Sequence, residues 1–166
     1  MPPSASRQLP CFIAESTLGR LVKWLRLAGF DTELAPGTPD FGRLNRIALD
    51  RNRTILSRTR SVMRRVDAGR GVFIPYDTPL EQARQVIQYF NIRRGDLKPF
   101  SRCSTCNQPL EKIDKNYLLE NVPDYIYQRH DRFLTCPCCR RVFWPGSHSG
   151  RISALIDSWF DSGVHR

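Results

Sequence analysis

The sequence predicts an α/β protein with a mostly parallel sheet and a small metal-binding module behind it, on three observations. Short apolar runs alternate with amphipathic helical stripes over about the first ninety residues, five of the six cysteines fall from Cys103 onward, and 26 basic residues stand against 16 acidic ones in a chain of 166. Alternation of strands with helices implies βαβ units, hence parallel strands with helices on both faces. In such sheets ligands bind beyond the carboxyl ends of the strands.

The elements follow in order. Leu9 to Ala14 is an apolar run of strand character. Leu18, Leu21, Val22 and Leu25 recur at i, i+3, i+4 and i+7, a helical stripe, with Gly29 as its stop. Phe30 to Leu34 reads as a second strand, and Asp40 opens a helix whose apolar side is Leu44, Ile47 and Ala48. Thr54 to Leu56 is a short β-branched strand, followed by an Arg-rich helix around Ser61 to Val66 and a strand from Gly71 to Ile74. Thr78-Pro79-Leu80-Glu81 places an N-cap threonine, a proline at the first helical position and a glutamate at the third, continuing through Ala83, Val86, Ile87 and Phe90. The polar stretch from Gly95 to Ser101 marks a boundary, so the expected domains are 1–98 and 99–166. At the far end Ile152, Leu155, Ile156 and Trp159 form a stripe expected to pack a terminal helix onto the body.

A hydrophobic fraction of 40% with 25% charged residues excludes a disordered or collagenous chain. No apolar run is long enough for a membrane span, and the stretch from Met1 to Leu9 has no apolar signal region, so a cytoplasmic protein is expected. Thiols there stay reduced, and closely spaced cysteines read as metal ligands. Cys103-Ser-Thr-Cys106 and Cys136-Pro-Cys-Cys139 form two CxxC knuckles, which together give four thiolates for one tetrahedral, structural Zn²⁺. Cys138 is an alternative ligand in the second knuckle, and an iron–sulfur cluster an alternative occupant. Phe143 and Trp144 are expected to pack the ribbon against the first domain, and the roles of Cys11 and His148 are not readable.

Of the 26 basic residues all but Lys23, Lys98, Lys112 and Lys115 are arginines. The guanidinium fork suits phosphate, so a polyanion, most simply nucleic acid, is the expected partner. The net charge is +8 over residues 1–100 and +2 over the rest, which places the phosphate-binding field in the first part. Among the acids, Glu15 directly follows the first strand, Asp40 begins the helix after the second, and Asp77 and Glu81 come after the strand ending at Ile74. Carboxylates gathered at one sheet edge can hold Mg²⁺ or Mn²⁺ for phosphodiester chemistry. Asp40 and Glu81 also have the positions of a helix N-cap and a capping-box partner.

Phe12-Ile-Ala-Glu15-Ser-Thr-Leu-Gly-Arg20-Leu-Val-Lys-Trp-Leu-Arg26-Leu-Ala-Gly-Phe-Asp31, Ile55-Leu-Ser-Arg58-Thr59, Ser101-Arg-Cys-Ser-Thr-Cys-Asn107 and Cys139-Arg-Arg-Val-Phe-Trp-Pro-Gly-Ser-His148 together resemble the Mut-seven C-terminal RNase family, over about residues 10 to 155. The resemblance implies a PIN-like α/β nuclease domain in three layers, then a zinc ribbon, with acidic side chains carrying Mg²⁺ in a metal-dependent ribonuclease. Its first acidic position falls on Glu15, where the family usually has Asp, and its second on Asp40. Its third falls on Thr59, where Thr-Arg-Asp of the family pattern becomes Ser57-Arg58-Thr59. The expected enzyme is an endoribonuclease with the metal on Glu15 and Asp40, completed by Asp77 or Glu81, and with Arg20, Arg58 and Arg60 on RNA phosphates. Arg26 is expected to pair with a nearby acid, such as Asp31. The alternative, raised by Thr59, is a catalytically impaired RNA-binding or regulatory protein on the same scaffold. A third possibility is an interaction module that docks a protein partner.

Overall fold

The structure, a computed structural model, describes residues 8–37, 40–119 and 121–161. Positions 1–7 of the polar leading stretch lie outside the described residues. Four strands, β1 (Phe12–Ala14), β2 (Thr32–Leu34), β3 (Thr54–Ser57) and β4 (Gly71–Phe73), form one parallel sheet in the order β2-β1-β3-β4. Between them run α1 (Gly19–Leu27), α2 (Phe41–Asp50) and the short α3 (Arg60–Met63), and α4 (Pro79–Tyr89) follows β4. The two-residue period of the strands sorts their side chains onto two faces. Phe12, Ala14, Leu56 and Val72 pack with Leu21, Leu25, Ala83 and Val86 of α1 and α4, while Ile13 and Ile55 pack with Leu44, Ala48 and Val62 of α2 and α3. The result is the expected α/β arrangement in three layers.

Two strands are shorter than the apolar runs suggested. Phe30 does not pair in the sheet because its N–H turns back to the Leu25 carbonyl at 2.9 Å, while that of Gly29 reaches Arg26 at 3.0 Å. This is a Schellman closure of α1, with Gly29 at φ 103°. Only glycine fits there for a second reason: a Cβ would stand 2.5 Å from the Lys98 carbonyl oxygen. The helix signals hold at their starts. Asp40 accepts from the Gly42 N–H at 3.0 Å, and Thr78 from that of Glu81 at 3.3 Å.

The second module has an antiparallel sheet of β5 (Glu111–Ile113), β6 (Phe133–Thr135) and β7 (Val142–Phe143), with α5 (Asp124–Arg129) inserted between its first two strands. Its small core is Leu118, Val122, Ile126 and Phe133. Trp144, expected against the first domain, belongs here instead: its ring lies 6.5 Å from that of Phe133. The terminal α6 (Ser147–Asp157) returns to the first module, where Ile156 and Trp159 are buried and Arg84 donates to the Ser158 carbonyl at 2.7 Å. Ile152 packs with them, whereas Leu155 of the same stripe stays 36% exposed.

Candidate functional site

The chain runs from β1 out to β2, then back across β1 to β3, so the strand order reverses between β1 and β3. That reversal is a topological switch point at the carboxyl ends of two neighbouring strands, the usual position of the ligand crevice in open α/β sheets. The register pairs Ala14 with Leu56, so the next residues along, Glu15 and Ser57, meet at the crevice. Glu15 is 1% exposed. Its carboxylate accepts hydrogen bonds from the Ser57 hydroxyl at 2.7 Å, the Thr17 hydroxyl at 2.7 Å, the Arg58 backbone N–H at 2.8 Å and the Thr59 hydroxyl at 3.1 Å. Burial alone would push its pKa up, but these four donors outweigh burial and hold it below the ordinary glutamate value. The edge therefore carries a fixed, ionised carboxylate among three hydroxyl oxygens. Sequence reasoning found Glu15 and Thr59 but missed Ser57, whose role follows from strand register, and Thr17, which reaches Glu15 from two residues along the chain.

The other sequence-expected residues are distributed around this centre. The guanidinium of Arg58, whose backbone holds Glu15, pairs with Asp77. Arg60 lies over the Phe73 ring, 4.7 Å from its centroid. Asp40 and Glu81 are occupied as helix starters: the Asp40 carboxylate takes the Gly42 N–H, and the Thr78 hydroxyl donates to Glu81 at 2.6 Å. Arg20 lines a cavity between α1 and α6 together with Lys23, Trp24, Leu27 and Ile152. Among the described residues, acidic oxygens do not converge in a group of three or more. A hard divalent cation suits oxygen donors, so the site fits one in kind: Glu15, with the Ser57 and Thr59 hydroxyls, would hold it. It is short in charge, with one buried carboxylate where several are usual.

The four cysteines do converge. The sulfurs of Cys103, Cys106, Cys136 and Cys139 lie within 4.8 Å of one another, and Cys103 and Cys139 are 3.8 Å apart. Four Zn–S bonds of about 2.3 Å in a tetrahedron put the sulfurs about 3.8 Å apart, so the quartet fits zinc. Cys138 is exposed and outside the group. The two knuckles repeat one backbone pattern. The N–H of Asn107 returns to Cys103 O and that of Arg140 to Cys136 O, each at 2.9 Å, with Asn107 and Arg140 both at positive φ. The Arg141 backbone N–H is the main cause that lowers the Cys139 thiol to about 7.

A polar seam joins this module to the sheet. Arg26, 9% exposed, does not pair with Asp31 as expected. It donates to the backbone carbonyls of Thr32 at 2.8 Å, Thr105 at 2.7 Å and Ser104 at 3.2 Å, the last two being the residues between the ligands of the first knuckle. Asp31 is taken by Arg53 at 2.6 Å and by the Asn107 amide at 2.8 Å, with Arg102 at 3.4 Å. Burial raises the Asp31 pKa, and these partners more than reverse that and lower it. Asn107 also accepts from the Thr32 N–H at 3.0 Å. No helix among the described residues is long and apolar enough to cross a membrane.

These features define an α/β domain with a buried acid at its switch-point crevice, joined to a four-cysteine module able to hold a metal such as zinc. The model of the Mut7-C RNAse domain matches residues 10–156, and the chain belongs to that family. No curated protein and no solved structure matches it.

Proposed function

We propose that the protein acts on RNA as a ribonuclease, with the phosphodiester at the crevice between β1 and β3. The observation that carries this reading is Glu15, buried and held ionised at the strand-order reversal of a domain from an RNase family. A carboxylate with a lowered pKa is a poor general base, so Glu15 acts as a fixed negative charge rather than a proton acceptor. RNA phosphate is gripped by Arg58, whose present partner Asp77 is 86% exposed. An ion pair so open to water contributes about 0–1 kcal/mol, so a phosphate readily replaces Asp77. A divalent cation held at Glu15 would neutralise charge on the phosphodiester. The Ser57 and Thr59 hydroxyls orient the carboxylate, and the Arg58 backbone couples its position to the phosphate-binding guanidinium.

The test is cleavage of single-stranded RNA by the purified protein with and without Mn²⁺. Cation-dependent cleavage lost in Glu15→Gln supports the reading, and cleavage unchanged in that variant removes Glu15 from the mechanism. A second reading, RNA binding without cleavage, is favoured by Thr59, whose hydroxyl spends itself on Glu15 where the family pattern has a carboxylate. Under that reading Thr59→Asp alone gains cleavage, and the unchanged protein shows only salt-sensitive RNA affinity.

A further inference from the structure

Helix α1 carries two stripes. Leu21, Val22 and Leu25 enter the core. A second stripe, Arg20, Lys23, Trp24 and Leu27 at i, i+3, i+4 and i+7, lines a cavity of about 330 Å³ whose opposite wall is Ile152 of α6. Helix α6 is kept there by Ile156 and Trp159 in the core and by Arg84 on the Ser158 carbonyl. Neither Arg20 nor Lys23 has an ion pair or hydrogen-bond partner among the described residues, and no acid lines the cavity. By contrast Arg58 is paired with Asp77 and Arg60 lies on Phe73.

We propose that this groove between α1 and α6 is a nucleotide subsite for single-stranded RNA, with Arg20 and Lys23 on the phosphates and a base against the Trp24 indole. The chemistry is that of sequence-tolerant single-strand binding, which joins cations along the backbone to an aromatic face for the bases. The volume suits it, standing at the low end of small-ligand pockets, which run from about 300 to 1,000 Å³. Direction suits it too. Helix α1 begins at Gly19, four positions past Glu15, so Arg20 is the end of the groove nearer Glu15 along the chain, and the stripe runs about 10 Å along the helix from there. An RNA strand held in the groove is thereby fed to Glu15. The inference rests on the reading of RNA as the ligand.

The experiment measures binding of a fluorescently labelled single-stranded oligoribonucleotide to the full chain by anisotropy across a salt series. Arg20→Ala with Lys23→Ala weakens binding at least about tenfold and flattens the log–log salt slope by about 1.4, two phosphate contacts at about 0.7 each. Trp24→Phe keeps affinity, and Trp24→Leu weakens RNA binding several-fold while leaving binding of inorganic polyphosphate unchanged. Thermal unfolding of each variant checks that the fold survives. If the double variant retains wild-type affinity and slope while Arg58→Ala with Arg60→Ala loses them, the groove is overturned and the RNA reading stands. If the wild-type chain fails to bind RNA even at low salt, both fall together.

Discussion

Arg26 is a buried cation without a carboxylate partner among the described residues, and this predicts a coupling between zinc and the α/β domain. Three neutral carbonyls take its Nε and Nη1 donors, and Asp31 and Glu33 act on its charge only through space, without touching it. A zinc ion on four thiolates carries a net charge of −2, and the two carbonyls Arg26 takes from the first knuckle lie between Cys103 and Cys106. A zinc held there would therefore add counter-charge beside Arg26, which an empty quartet of thiols would not. Arg26→Gln removes the charge and three charge-assisted bonds. Such bonds are individually worth about 1.5–3 kcal/mol, but the Ser104 and Thr105 carbonyls regain water. The expected loss is about 3–5 kcal/mol, below the sum of three such bonds. For a chain of 166 residues that is a fall in Tm of about 6–20 °C, at about 2–4 °C per kcal/mol. Arg26→Lys, with charge but no fork, falls in between.

The assay is thermal unfolding of the zinc-loaded and chelator-treated proteins, wild type and Arg26→Gln, with zinc content measured beside it. Because both perturbations break one interaction, their combined effect falls short of the sum by about 0.5–3 kcal/mol. Strictly additive effects, or a variant that keeps its Tm within about 2 °C of wild type and its full zinc content, would refute the coupling.

Acid should unfold the protein partly through Glu15 and Asp31. Both pKa values are lowered by folding, so their contribution is complete above the unfolded values, about 4, and is lost as pH falls through the folded ones. Urea unfolding between pH 6 and pH 3 should show that decline, made shallower in Glu15→Gln; an equally steep decline in that variant counts against the account of Glu15. Gly29→Ala should cost about 2–4 kcal/mol, because its Cβ would meet the Lys98 carbonyl at 2.5 Å in a left-handed backbone. A Tm within error of wild type would contradict that packing. Trp159→Ala should cost about 3–5 kcal/mol and release α6 from the first module, read as protease sensitivity after residue 146 in limited digestion.

Thr17 apart, features that depend on neighbours in sequence were legible; those that depend on register or return of the chain were not. The caps at Asp40 and Thr78, the stop at Gly29 and the CxxC knuckles are local devices, and each is built as its spacing implied. Strand ends were overextended because an apolar run reports burial, not pairing: Phe30 is fully buried yet gives its N–H to the helix behind it. The expected ion pair of Arg26 with a nearby acid does not form because two of its partners, the Ser104 and Thr105 carbonyls, arrive 78 and 79 residues later. Trp144 was assigned to the wrong core for the same reason, since its partner Phe133 is reached only when β6 and β7 pair.

Glu15 shows how the two kinds of information combine. Its place after an apolar run marked it as a strand-end acid, yet nothing in the run says which strand lies beside it. Once β1 and β3 pair in parallel with Ala14 opposite Leu56, the Ser57 and Thr59 hydroxyls and the Arg58 N–H close on a carboxylate that already has the Thr17 hydroxyl two residues along. A one-residue slip of that register would turn Ser57 to the other face and leave a buried charge short of donors. The register that aligns Phe12, Ala14 and Leu56 on one core face therefore also sets the ionisation of Glu15, so the hydrophobic pattern and the chemistry of the crevice are specified by one and the same pairing.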